Sequence, residues 1–405
     1  VLGESSHRAT PRKFWLPLLL LAALALRVGW ALSLPDSGRD ALRDLPDQLE
    51  YFDLAQSIAD GAVMHFTDPR FEQDVYAYRT PGYPVFLALT GPDLRLARLL
   101  QALIDTSTVL ATYLLARRWL AVGPSLLAAA FTAFNPFLVY FTGLALSETL
   151  FTALLAWGAA GLAWSTGDLR RAWPAILGAA CLALSAIVRP SALLLAIALP
   201  MVMPIGWRRR AVITVAAVAC LTALFAPWAM RNERLLGRAV LATTNGGITL
   251  YDGFNPAATG ASDQSFVQRM PELQAMNEVE RSDYLESLGW RFISERPLEA
   301  MRLGVVKLAR TWSPIPLSAE FGRPLYQVIG IAYALPLYVL IILGLWRRGL
   351  PWGVVLFLVA PAIYFSLVHV MSVGSLRYRV PVEPLLCVIA GAAVQGRRAS
   401  ALEAA

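Results

Sequence analysis

The sequence predicts an all-α polytopic membrane protein, on three observations. The chain of 405 residues is 57% hydrophobic and only 16% charged, with a mean hydropathy of +0.54. Its apolar residues gather repeatedly into runs of about 20, the length a helix needs to cross a hydrocarbon core of about 30 Å. Between the runs, arginines recur in short clusters at every second loop, as the positive-inside rule requires.

Ten helices are expected to cross, near residues 14–34, 95–116, 122–141, 144–164, 174–189, 191–206, 211–228, 325–346, 350–371 and 381–396. The basic clusters are Arg8/Arg12/Lys13, Arg117-Arg118, Arg170-Arg171, Arg208-Arg209-Arg210, Arg347-Arg348 and Arg397-Arg398. With a cytoplasmic amino terminus, every one of them lies in the cytoplasm, and an even number of spans returns the carboxyl terminus there. The first apolar run is read as a retained anchor rather than a cleaved signal, because many spans follow it.

The same placement accounts for the net charge of +7. Basic residues spread among short loops give no stripe for nucleic acid, so no nucleic-acid partner is expected. Cys181, Cys220 and Cys387 fall inside apolar runs, which argues against a disulfide framework. The histidines, His7, His65 and His369, are too scattered for a histidine-rich metal site.

The span map divides a single transmembrane domain, residues 1–405, into a bundle and two long outer segments, 35–94 and 229–324. In the first, DLPDQLEYFDLAQSIADG sets the acids Asp44, Asp47, Glu50, Asp53 and Asp60 beside the first span. Charges at the edge of a low-dielectric slab are costly unless solvated, paired or used. Asp47, Glu50 and Asp53 recur at a spacing that puts them on one side of a helix, with Leu49, Phe52, Ala55 and Ala59 on another. Such a helix can lie along the interface with its apolar side down. Pro46 suits its first turn and Gly61 its end.

In AYRTPGYPVFLAL, Pro81, Gly82 and Pro84 are expected to forbid a regular helix and stiffen a turn that holds Arg79 at the surface. Glu148 opens a later span on the same side, where a membrane-edge carboxylate points to function but also suits a helix amino terminus. Arg189 ends one span, and Arg377 and Arg379 precede another. Outer arginines run against the positive-inside trend and suit a phosphate anion, or else snorkel to lipid headgroups. In the second outer segment, Thr243 to Gly247, Tyr251, Phe254 and Asn255 offer the aromatic and amide groups of a sugar site, though ordinary loops use them too. SERPLEAMRLGVVKLARTW reads as an amphipathic helix returning to the membrane.

Taken in order, these features resemble a family. A first-loop Asp is followed by R-x-P-x-Y-P, N-P…S-E and V-R-P-S, then P-W-x-x-R-N…G-G…Y-x-G-x-N-P-A-x-T-G, and finally R-Y-R-x-P-x-x-P. The series, from about residue 14 to 396, is similar to the bacterial GT-C glycosyltransferases, family 39 in the broad sense. That group includes protein O-mannosyltransferases and the lipid A aminoarabinose transferase. The resemblance implies an inverting transfer from a polyprenyl-phosphate sugar to a lipid, glycan or protein acceptor. The site would lie on the periplasmic face of a bacterial cytoplasmic membrane.

It also implies roles. Asp47 matches the catalytic acid of the first outer loop, with Glu50 and Tyr51 beside it, and Glu148 matches the second acid. Arg379, with Arg377 next to it and Arg189 on the same side, matches the donor-phosphate position. Arg79, Tyr83, Asn245 and Tyr251 are the remaining candidates for substrate contact. Two departures leave a divalent metal open: Gln48 follows Asp47 where many relatives carry a second acid, and Arg79-Thr80-Pro81 stands where some carry Glu before the proline. A transporter of lipid-linked substrates and an O-antigen ligase or polymerase are the alternatives.

Overall fold

The computed structural model describes residues 14–35, 39, 42, 45–165, 173–317 and 324–396. Asp44, His7 and the clusters Arg8/Arg12/Lys13, Arg170-Arg171 and Arg397-Arg398 lie outside the described residues.

Each expected apolar run contains a helix or a helix pair, though not each of these is long enough to span. The first is α1 (Trp15–Ser33). The first outer segment follows with α2 (Pro46–Ala59), a hairpin of β1 (Phe66–Asp68) and β2 (Gln73–Val75), and α3 (Gly82–Ala88). The bundle resumes with α4 (Leu94–Arg117), the pair α5 (Val122–Ala133) and α6 (Pro136–Thr142), α7 (Glu148–Trp164), α8 (Trp173–Val188), α9 (Leu193–Met201) and α10 (Trp207–Leu236). The second outer segment holds α11 (Gly246–Gly253), α12 (Glu278–Glu295) and α13 (Pro297–Thr311). The chain closes with α14 (Pro324–Trp346), α15 (Trp352–Val370) and α16 (Glu383–Ala392).

Among the described residues, five helices are long and apolar enough to cross a membrane, namely α1, α4, α10, α14 and α15. The α5–α6 pair makes a sixth if its 49° bend is crossed as one span. That bend has a local cause: Asn135 turns its side chain back onto the amides of Phe137 and Leu138, and Pro136 opens the next helix. α10 runs 30 residues, past the expected end at 228, because its polar continuation from Arg231 to Leu236 keeps helix-forming residues until Gly237 stops it at φ +68°.

The helices pack through small residues, as membrane bundles do. A methyl group on Gly161 would stand 2.6 Å from the Pro174 carbonyl, and one on Gly178 would stand 2.8 Å from that of Gly158. This contact holds α7 against α8. α16 is buried along its whole length.

The basic clusters that are described share one end. Arg118 reaches the Ala163 carbonyl at the end of α7, Arg347 reaches that of Ala393 after α16, and Gln395 bonds to Trp119. Gly353, near Arg347-Arg348, packs on Pro204, close to Arg208-Arg209-Arg210. The amino ends of α7 and α16, with Glu148 and Glu383, face the other way. Acids and cations of the two long segments therefore gather opposite the arginine runs.

Two local expectations need correction. Residues 82–88 are helical, because Pro84 falls in the first turn of α3, where a missing amide hydrogen costs nothing. Gly82 is needed for a different reason: any side chain there would strike the Ile187 carbonyl at 2.6 Å. On α2 the buried face is Gln48, Tyr51, Leu54 and Ala55, while Ala59 is exposed. The helix packs on the protein, and Gln48, which the apolar spacing ignores, accepts from the amide of Ala145 at 2.8 Å.

Candidate active site

The site is a chain of alternating charges. Glu50 Oε2 accepts from Arg79 Nε at 2.9 Å, and Arg79 Nη2 donates to Asp47 Oδ1 at 2.8 Å. Asp47 Oδ2 accepts from Arg377 Nη1 at 3.0 Å, and Arg377 Nε donates to Glu148 Oε1 at 2.7 Å. Arg189 Nη1 stands 3.3 Å from the same Glu148 oxygen. Three acids and three guanidiniums thus meet from residues far apart in sequence.

Local structure explains how each arrives. Asp47 and Glu50 share one side of the first turns of α2. Arg79 is fixed just before Pro81, while Glu278 of α12 accepts the amides of Tyr76 and Ala77 at 2.8 and 3.2 Å. Glu148 opens α7, Arg189 follows α8, and Arg377 lies in a single 3-10 turn, Leu376–Tyr378. Arg79 also lies over the rings of Tyr51 and Tyr78, at 5.2 and 5.4 Å.

The site has an open side and a closed floor. The Asp47 and Arg377 side chains are 33% and 29% exposed, whereas Glu148 is 1% exposed. On the floor, Glu148 Oε2 and Arg189 Nη1 have no hydrogen-bond partner. Arg189 lies over Phe151 and Tyr378, and Tyr378 is stacked on His369 with centroids 3.4 Å apart.

Burial alone would raise the Asp47 carboxyl, but Arg79 and Arg377 outweigh it and hold the group well below the ordinary range. At Glu50 burial is the larger effect, Arg79 offsets only part of it, the Asp47 charge adds to it, and the carboxyl is pushed up. The two acids of one helix are driven apart.

Asp47, Glu50, Glu148, Arg79, Arg189 and Arg377 thus come together, and Tyr51 borders them with its hydroxyl 3.4 Å from Ser147 Oγ. Arg379 does not join them. Its Nε donates to Glu383 Oε1 at 2.6 Å inside the bundle, and both side chains are buried. In 3-10 turns each residue advances about 120°, so arginines two positions apart leave the chain in different directions. Tyr83 is wholly buried, bonded to Gln101 at 3.0 Å, and supports Tyr51 edge-on. Asn245 is engaged by Thr249, and Tyr251 packs edge-on against Phe266.

The residues missed from sequence are Gln48, Glu278, His369 and Tyr378. None carried a local signal of its role: the N-x-x-E at the start of α12 belongs to Asn277 and Glu280, which cap each other, and marks only the helix start beside Glu278. Among the described residues, no three His, Cys, Asp or Glu side chains converge to hold a metal ion. Asp47, Glu50 and Glu148 face guanidiniums rather than one another, so this donor set does not fit a divalent ion.

No family model matches the chain, and no curated protein matches it. Solved structures do. The Archaeoglobus fulgidus oligosaccharyltransferase AglB, in complex with an inhibitory peptide and a dolichol-phosphate, aligns over 95% of this chain and 50% of its own, with 13% identity and a TM-score of 0.56. The Archaeoglobus fulgidus oligosaccharyltransferase in its apo form aligns over 96% of this chain and 51% of its own, with 12% identity and a TM-score of 0.57. The chain therefore spans about half the length of those enzymes. ArnT from Cupriavidus metallidurans, bound to undecaprenyl phosphate, aligns at 15% identity over 96% of this chain and 78% of that one, with a TM-score of 0.39, too low to bear on the fold. What the archaeal matches establish is the fold alone, the GT-C fold, and the chain's own long apolar helices make it a nearly all-α, multi-pass membrane protein.

Proposed function

We propose that the chain is an inverting glycosyltransferase that moves a sugar from a polyprenyl phosphate to an acceptor hydroxyl at the outer face of a bacterial cytoplasmic membrane. One observation carries the reading: Arg377 links Asp47 to Glu148 across a half-open site at the end of the bundle opposite the arginine runs. A transfer of this kind needs a base on the open side and a cation on the other.

The acceptor hydroxyl enters from the exposed side and loses its proton to Asp47 as its oxygen bonds to the anomeric carbon. The bond from that carbon to the phosphate oxygen breaks on the opposite face, and the negative charge on the leaving phosphate falls to Arg377 and Arg189. Glu148, behind both guanidiniums, fixes where they point. Arg79 and Glu50 hold Asp47 from the other side. The half-open cluster of six charges at one end of the bundle supports an edge reaction over a midplane transport site.

Asp47→Asn tests the reading. Transfer from a polyprenyl-phosphate sugar should fall by about 10²–10⁴-fold, the usual worth of a general base, with expression and membrane insertion intact. Full activity in that variant would remove the base assignment.

A further inference from the structure

We infer that the donor phosphate and Asp47 compete for Arg377, so that arrival of the donor releases the base. The inference rests on the donor reading above and concerns the order of events within that site.

The cluster is charge-balanced, with Asp47, Glu50 and Glu148 against Arg79, Arg189 and Arg377. Both Asp47 oxygens are committed to guanidiniums, at 2.8 and 3.0 Å. A carboxylate with two charge-assisted bonds is a poor proton acceptor, so the arrangement as it stands suppresses the chemistry that Asp47 must perform. Something has to take one guanidinium away.

The two bonds of Arg377 are not equivalent. Its Nε is anchored to Glu148, which is 1% exposed, whereas its Nη1 faces Asp47 on the open side. An anion entering there meets the Nη1 edge first. Below it lies Arg189 Nη1, buried, 3.3 Å from Glu148 Oε1 but without a hydrogen-bond partner. The two donors together match a phosphate, whose oxygens can accept from both. Once they do, Asp47 keeps only Arg79 through Oδ1, and Oδ2 is free to take a proton. The added negative charge lies close by and raises its proton affinity further. The base is thus armed only when a sugar donor is in place, which guards against idle proton exchange.

The test is the binding of undecaprenyl phosphate to the full chain in nanodiscs. Asp47→Asn removes the competing charge, so it should bind the lipid about tenfold tighter than wild type, the worth of one charge-assisted hydrogen bond, even though it cannot transfer sugar. Asp47→Ala should do the same, and melting and gel filtration identify any variant that misfolds. In an Arg377→Met background the gain should vanish. Unchanged or weaker binding by both folded Asp47 variants would overturn the exchange while leaving the donor reading in place, and so would a gain that persists without Arg377. No saturable binding by wild type or either variant would overturn the donor reading, and the exchange with it.

Discussion

Arg377 and Arg379 stand two residues apart and belong to different kinds of site. Arg377 is partly exposed and bonds to two acids from distant segments. Arg379 is closed in with Glu383, whose other oxygen accepts from Asn135 at 2.6 Å, between the rings of Phe137 and Tyr338. Arg27 and Asp105 repeat the second pattern between α1 and α4: a 2.6 Å pair with neither side chain exposed, and further bonds from Arg27 to the Ala23, Thr132 and Ala133 carbonyls. The difference teaches that a guanidinium–carboxylate pair does not declare its purpose. Enclosed by the bundle, it fixes helices; left half open, it can change partners.

Substituting the two arginines gives the sharpest way to break that comparison. Arg377→Met should lower transfer by about 10²–10³-fold, as loss of a preorganised charge does, with a smaller loss in melting than at Arg379, because Glu148 keeps Arg189 at 3.3 Å. Arg379→Met should do the reverse. It strands the Glu383 charge in the bundle, at a cost of about 3–5 kcal/mol, so folded yield should collapse while transfer per folded molecule stays near wild type. Removing Glu383 as well, in Arg379→Met/Glu383→Gln, should restore much of the loss. A well-folded, inactive Arg379→Met would return that residue to the phosphate position the sequence implied.

A second contrast lies within α2. The Asp47 carboxyl is held below its ordinary value of 3.8, so what it adds to stability is present above that pH and disappears as pH falls through the depressed value. Glu50 is raised above its ordinary 4.5, so its contribution is present below that pH and is lost as pH rises through the raised value. Melting in detergent should follow these signs. The deficit of Asp47→Asn should hold steady from about pH 7 to about pH 5 and shrink only in stronger acid. Glu50→Gln should melt at or above wild type at neutral pH, and that advantage should vanish toward acid. Parallel behaviour of the two variants would mean that the acids act as one unit.

The apolar helices were legible because bilayer thickness imposes a strong signal on sequence, although among the described residues five of them, or six with the bent α5–α6 pair, are long and apolar enough to cross. The course of α10 beyond residue 228 was not, since the membrane stops constraining a helix where its polar residues begin. The convergence of Asp47, Glu148 and an outer arginine was legible through the order of motifs. Which arginine was not: neighbours in sequence say nothing about the direction a side chain leaves a 3-10 turn. The buried face of α2 was misjudged because apolar spacing gives no weight to Gln48 and Tyr51, whose polar tips find partners at Ala145 and Ser147. Glu278 acts on the backbone before Arg79, a contact that no side-chain pattern encodes.

The smallest effect belongs to Asp53, the third acid of the same helical series. Like Asp47 it faces a guanidinium in good geometry, with Arg39 donating to its two oxygens at 3.0 and 2.7 Å. Distance alone would rank the pair with that of Asp47. Its surroundings differ: the Arg39 side chain is 64% exposed and that of Asp53 26%, so water screens the attraction and competes for both groups. Asp53→Asn should therefore change stability by no more than about 0.5 kcal/mol and leave transfer unaltered, measured beside Asp47→Asn in the same membranes. A large loss of transfer at Asp53 would mean that the working site extends along α2 toward solvent, and that the half-open boundary at Asp47 has been drawn too narrowly.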